Sequence, residues 1–170
     1  MKIRAADNND LGEIRRLLAT CDLQTEDVTT ALLTGFLVSV NEGEAIVGSV
    51  CLETLGADAL LRSLAVAMDR RSTALGTSLL LAIEQEARAR AYASVWLLTT
   101  SARHFFLRHG YSAVDRSDVP GEVRETAQYV RLCLSSAVCM RKHIARAITS
   151  RAIASDDRLT ADFGAQQPLE

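Results

Sequence analysis

The stretch from Ala59 to Leu98 limits the possible folds more than any other. Ala59 to Val66 is an apolar run, Leu75, Leu79, Ile83 and Ala87 then recur every fourth position, and Ser94 to Leu98 is a second apolar run. Runs of that length read as buried strands, and a period of four reads as the inward stripe of a helix. Glu84 with Arg88 and Glu86 with Arg90 are i,i+4 pairs assigned to the helix's wet side. A strand, a long helix and a second strand make a crossover unit, which sets the two strands parallel. Everything around this unit must be compatible with it.

Its surroundings read as hairpins. Phe36 to Val40 and Ala45 to Leu52 flank Asn41-Glu42-Gly43, and a turn at Gly56 leads into the run at Ala59, so at least three early strands are antiparallel. Ile3 to Ala5 is a short first strand. Asn8 to Asp10 offer caps for a helix whose inward face is Leu11, Ile14, Leu17 and Leu18, and Glu26 to Leu33 suits a second, shorter helix. Later, Ala102, Phe105, Phe106 and His109 form a stripe that Gly110 terminates; Tyr111 to Val114 is strand-like. Pro120 to Val130 is helical, and Ala137 to Met140 is a last strand. The result is a mixed α/β sandwich, with residues 1–142 as the domain and 143–170 as an extension, partly helical or disordered.

Composition excludes several classes. The chain has 170 residues, of which 48% are hydrophobic, 5% aromatic, 19 basic and 21 acidic, for a net charge of −2. A domain of this size buries roughly 70% of its chain surface, so a core is available without disulfides. Neither a basic stripe nor an aromatic platform for nucleic acid is present. No signal-like N-terminus and no membrane-length apolar run occur, so a cytoplasmic location with no membrane partner is expected. Cys21, Cys51, Cys133 and Cys139 form no C-x-x-C pair and read as small core residues rather than metal ligands, so no metal is expected.

The segment from Leu64 to Ser78 carries the chemistry. It leads from a strand through a loop into a helix, and the start of a helix offers unpaired amides and a positive dipole end to a phosphate. Arg70 and Arg71 add charge, and Gly76 allows close backbone approach. An ordinary helix start with a solvated arginine pair fits the same residues.

This segment, Arg71-Ser72-Thr73-Ala74-Leu75-Gly76, resembles the pyrophosphate loop R/Q-x-x-G-x-G/A of GNAT N-acetyltransferases, with Ala74 where the first glycine stands. A second stretch, Thr99-Thr100-Ser101-Ala102-Arg103-His104-Phe105-Phe106-Leu107-Arg108-His109-Gly110-Tyr111, is similar in spacing to the family's N-x-x-A-x-x-F-Y-x-x-x-G-F/Y. Thr99 replaces its asparagine, and Phe106 replaces the tyrosine that protonates the coenzyme thiolate in many relatives. Leu60 to Val66, Leu97 to Thr100 and Leu132 to Met140 further resemble the subgroup encoded in arsenic-resistance operons, which commonly has Phe at the tyrosine position. Of its Cys-Pro-x-Ser-Ala segment the chain keeps Cys133, Ser136 and Ala137, with Leu134 for proline.

The resemblance implies a GNAT-type fold: a mixed, mostly antiparallel sheet of about seven strands with helices on both faces. It implies acetyl-CoA as co-substrate, held by Leu64, Ala65, Val66, the residues from Arg71 to Thr77, Thr99 and Phe106. It also implies polarisation of the thioester carbonyl by a backbone N–H between Leu64 and Val66, with Val66 the chosen donor. Glu53 and Arg62 are charged residues inside two apolar strands flanking Gly56, expected nearly opposite each other. They are read either as base and anion-recognising group or as a cross-strand ion pair. Thr99 and Thr100 could bond coenzyme or substrate, or cap the next helix. His104 falls on the wet side; His109 lies on the stripe, as packing or a cap. Cys133 is the speculative substrate contact. The expected reaction is acetyl transfer to a primary amine of a small molecule, such as an amino-bearing arsenical or amino-acid-like toxin, by a chain that could form a homodimer. The alternative is a degenerate acyl-CoA-binding sensor, prompted by Ala74, Thr99 and Phe106.

Overall fold

The computed structural model describes residues 1–132 and 136–144. Seven strands form one sheet: β1 (Lys2–Ala5), β2 (Phe36–Val40), β3 (Ile46–Leu55), β4 (Asp58–Val66), β5 (Ser94–Thr99), β6 (Ser112–Val114) and β7 (Val138–His143). Their spatial order is β1-β2-β3-β4-β5-β7-β6, and every neighbouring pair is antiparallel except β4 with β5. The sheet is mixed, with its single parallel pair joined through α2 (Leu75–Ala89) as the periodicity requires. The folded unit runs past residue 142: β7 continues to His143, and buried Ile144 donates its N–H to the Ala93 carbonyl at 2.9 Å. The rest of the expected extension, from residue 145, and Cys133 lie outside the described residues.

The two faces of the sheet are covered differently. Leu75, Leu79, Leu80, Ile83 and Ala87 of α2 pack on Val50, Leu52, Ala59, Leu61, Val95 and Leu97. Each leucine, isoleucine or valine among them contributes about 1.5–3 kcal/mol when fully buried. The helix lies so close that a Cβ on Gly48 would come within 2.8 Å of Leu79. On the other face, α1 (Leu11–Thr20) buries Ile14, Leu17 and Leu18 against Phe36, Val38, Val40 and Cys51. Further along that face, Leu60, Trp96 and Cys139 pack with Val119, Val123 and Tyr129, which come from around α4 (Gly121–Arg124) and α5 (Ala127–Leu132).

Several local expectations are corrected. Asp10 is the N-cap of α1, as expected of that stretch, but its carboxylate accepts the Asp7 N–H while Asp7 accepts the Asn9 N–H, both at 2.8 Å, a capping box one turn earlier. Asn8–Asp10 themselves form a 3-10 turn. The expected helix at Glu26 to Leu33 is instead a 3-10 segment, Thr30–Gly35, and the stretch after Pro120 breaks into α4 and α5. Tyr111 precedes β6 and is buried in the core. Glu84, assigned to the wet side, is only 1% exposed, because Lys142 of β7 reaches both its oxygens at 2.8 Å and Arg88 joins at 3.4 Å. Glu86 and Arg90 do form the exposed pair expected of them.

Two irregularities shape the middle of the sheet. β4 pairs with β5 only at Ala59↔Val95 and Leu60↔Trp96; beyond those residues the strands part. The closed end is pinned by Asp58, which accepts the Ser94 N–H at 3.0 Å and the Trp96 indole N–H at 2.8 Å. Against β3, the register moves from Cys51↔Arg62 to Ser49↔Ala65, so β4 carries one extra residue. Ser63 absorbs it with φ +56, and its carbonyl accepts the Ser49 hydroxyl at 3.0 Å.

Candidate active site

Where β4 and β5 diverge, a cleft of about 450 Å3 opens. Its walls are Leu61 to Val66 of β4 and Leu97 to Ala102, which includes the end of β5 and the turn after it. Phe106, Arg71, Gln128 and the segment Cys21 to Gln24 complete the lining. Antiparallel strands turn successive backbone groups to alternate edges. The Ala67 N–H bonds the Val47 carbonyl of the β3 side at 2.9 Å, so Val66 turns its N–H and C=O to the opposite edge, toward the cleft. Its carbonyl there accepts the Cys21 thiol at 3.6 Å and the Arg71 Nε–H at 3.4 Å. The Val66 N–H is therefore a preset donor on an open strand edge.

The loop before α2 is held by unusual backbone angles. Ser72 has φ +68 and Ala74, the N-cap of α2, has φ +61. The left-handed region costs an L-residue with a side chain roughly 1–2 kcal/mol. Ala74 adopts the conformation that glycine takes freely, which explains why the sequence pattern favours glycine there. The first amides of α2, at Leu75, Gly76 and Thr77, have no intrahelical carbonyl to bond and face the loop. Leu75 contributes only its amide, since its side chain is core. Arg71 does not project outward: its guanidinium folds back over the end of β4, 3.7 Å from Cys21 Sγ. Arg70 pairs with the adjacent Asp69 at 3.2 Å.

Other expected residues take local roles. Thr77 bonds His109 Nε2 at 3.3 Å, while His109 Nδ1–H donates to the Phe105 carbonyl at 2.7 Å. The Thr99 hydroxyl accepts the Ala102 N–H at 2.9 Å, fixing the turn into α3 (Arg103–Arg108), whereas Thr100 is exposed on the cleft wall. Phe106 lines the cleft and stands edge-on to Phe105 and Tyr111, with ring centroids 5.2 and 5.4 Å away. No hydroxyl occupies its position. Burial pushes the Tyr111 phenol behind it well above its ordinary value, with the nearby Glu84 charge adding to the effect.

Arg62 is the buried charge of the site. It is 4% exposed and lines the cleft, donating Nη2–H to Asp27 at 2.5 Å and Nη1–H to Glu53 at 3.0 Å. Glu53 is opposite Leu60 rather than Arg62, so the contact is diagonal. Burial works against the Arg62 charge, but the hydrogen bonds from Asp27 and Glu53 outweigh it and hold the guanidinium above its ordinary value. Neither carboxylate lines the cleft. Asp27 escaped the sequence reading, because it sits 35 residues from its partner, in a stretch whose local pattern suggested only a short helix.

Residues 33–113 match the family model described as an acetyltransferase (GNAT) domain. Over that stretch the chain is similar to a GNAT domain. No curated sequence matches it significantly. Among solved structures, N-acetylglutamate synthase from Neisseria gonorrhoeae, complexed with coenzyme A and N-acetyl-glutamate, is similar with a TM-score of 0.75 at 20% identity. That match covers 85% of this chain and 35% of the synthase, so the chain spans about a third of the synthase's length. Rv2747 from Mycobacterium tuberculosis, in complex with CoA and NLQ, gives 0.73 at 21% identity over 85% of this chain and 100% of its own. An aminoglycoside 6'-N-acetyltransferase complexed with coenzyme A gives 0.66 at 18%, covering 86% and 99%. At these identities the likeness is one of fold.

Proposed function

We propose that the chain is an acetyl-CoA-dependent N-acetyltransferase acting on the primary amine of a small molecule. The observation that carries this reading is the cleft between β4 and β5, flanked by the loop Arg71 to Gly76 at the start of α2. A coenzyme with a pyrophosphate and an amide-bearing arm needs orphan amides at one end and open strand edges along its length. The amides at the start of α2 would take the pyrophosphate. The strand edges at Leu64 to Val66 and after Leu97 would take the arm, with Phe106 against its apolar part. Solved relatives of the same fold are complexes with coenzyme A.

In this reading the Val66 N–H donates to the thioester carbonyl and stabilises the oxygen as charge develops on it. The amine loses its proton to Glu53 by way of water, because the Glu53 carboxylate stands behind Arg62 rather than on the cleft wall. With Phe106 in place of an acid, the thiolate leaves unprotonated, which a thiol with a pKa of about 8.5 allows. Cys133, the speculative substrate contact, lies outside the described residues, so the proposed acceptor is defined by the cleft alone.

The test is thiol release from acetyl-CoA with a panel of primary amines, beside coenzyme binding by calorimetry. Binding with turnover supports the proposal. Tight binding with no turnover across the panel would instead make the chain an acyl-CoA sensor, and absence of binding would reject both.

A further inference from the structure

The cleft has a second, polar end whose hydrogen bonding is incomplete. Gln24 comes from the connection after α1 and Gln128 from α5, and both line the cleft. The ion pair between Glu26 and Arg131 ties these two segments together. The side-chain oxygens of Gln24 and Gln128 are buried without a hydrogen-bond partner among the described residues, and so is Asp27 Oδ1. Arg62 Nε, also buried, lacks an acceptor. Four of the seven such buried atoms therefore belong to this one corner of the molecule. Buried polar groups are normally paired, so an unpaired cluster beside a cleft marks where a ligand completes the bonding.

The chemistry of the cluster selects the ligand. Three of its four atoms are acceptors, and they call for a molecule rich in N–H or O–H donors. The charge agrees. Arg62 has spent both terminal nitrogens on Asp27 and Glu53, so two carboxylates surround one guanidinium and the group carries one net negative charge. Arg62 is thus a clamp that fixes two carboxylates with two of its five N–H groups, and its Nε–H has no acceptor. An anionic group that approached this guanidinium would meet the two carboxylates already bound to its terminal nitrogens.

Resting on the acetyltransferase reading, we infer that the acceptor is a small cationic amine, bearing a second ammonium or donor-rich handle, and that Asp27 sets this preference from behind the cleft wall. The handle lies against Gln24 and Gln128, with Asp27 behind them, while the reacting amine is directed toward the Val66 end. A carboxylate in the handle's place meets net negative charge and acceptor oxygens, and is disfavoured on both counts.

Three acceptors of equal chain length test this: 1,4-diaminobutane, 4-amino-1-butanol and 4-aminobutanoate. Their Kd values are measured by calorimetry on the protein loaded with coenzyme A, and their kcat/KM values by thiol release. The diamine is expected to bind first, the amino alcohol second and the carboxylate last, with about tenfold or more between the extremes. Asp27→Asn should reduce that ratio about tenfold while coenzyme affinity is unchanged. Gln24→Leu, which leaves the ion pair intact, should reduce it severalfold if Asp27→Asn fails to fold. Equal or tighter binding of 4-aminobutanoate, or a ratio that neither variant alters, would overturn the inference. Because binding is read separately, loss of turnover with the binding order intact would count against the acetyltransferase reading and not against this one.

Discussion

Asp58 holds the indole N–H of Trp96 at 2.8 Å and the Ser94 amide at 3.0 Å, and these bonds lie at the point from which β4 and β5 separate. Asp58→Ala is expected to leave a buried indole N–H without a partner and to cost about 3 kcal/mol of stability. Chemical denaturation measures that loss. Coenzyme affinity should fall with it, since the hinge of the cleft is no longer fixed; a variant of wild-type stability would show that the apex is held by packing alone.

Ala74 occupies left-handed backbone at the start of α2. Ala74→Gly should relieve that strain and raise the unfolding free energy by about 1 kcal/mol, with tighter acetyl-CoA binding. Thermal unfolding with and without coenzyme checks both. A fall in stability would mean that the methyl group contributes packing greater than its conformational cost.

A Cβ on Gly76 would lie 3.8 Å from Phe105 and from Val66, which is ordinary contact. Gly76→Ala should therefore leave acetyl-CoA binding nearly unchanged. Gly76→Leu must displace Phe105 or intrude on the loop, an overpacking cost of about 1–3 kcal/mol that raises the coenzyme Kd about tenfold or more. Calorimetric titration of the two variants separates these outcomes, and equal affinity for both would place the pyrophosphate elsewhere.

The described thiols should react unequally. Burial pushes Cys51 up to about 12 and Cys139 up to about 11, so at pH 8 both stay protonated and shielded. Cys21 lines the cleft. Alkylation followed by peptide mapping is expected to modify Cys21 well before Cys51 or Cys139, and acetyl-CoA should slow that modification. Undiminished labelling under saturating coenzyme would remove Cys21 from the binding path.

The parallel unit was legible because its signals are local. Leu75, Leu79, Ile83 and Ala87 write the inward face of α2 at a fixed period, and continuous apolar runs write β4 and β5. What escaped depends on partners far away in the chain. Glu84 looked solvent-facing beside Arg88, yet Lys142, 58 residues on, draws it inside. Arg62 suggested anion recognition until Asp27 took its second nitrogen. The divergence of the two strands was also hidden, because Leu97 and Leu98 continue the apolar pattern past the last paired residue, Trp96. A cleft walled by apolar strand looks, in sequence, like more strand.

The seam between β4 and β5 also bears on how long the protein survives. A ligand that binds only the folded chain stabilises it by about 2.7 kcal/mol when present at 100 times its Kd. Coenzyme lying in the seam would supply the strand contacts that the sheet omits, so susceptibility to proteolysis should rise when acetyl-CoA is scarce and fall when it is plentiful. With coenzyme bound there, the abundance of the protein would follow the cell's acetyl supply through the opening between these two strands.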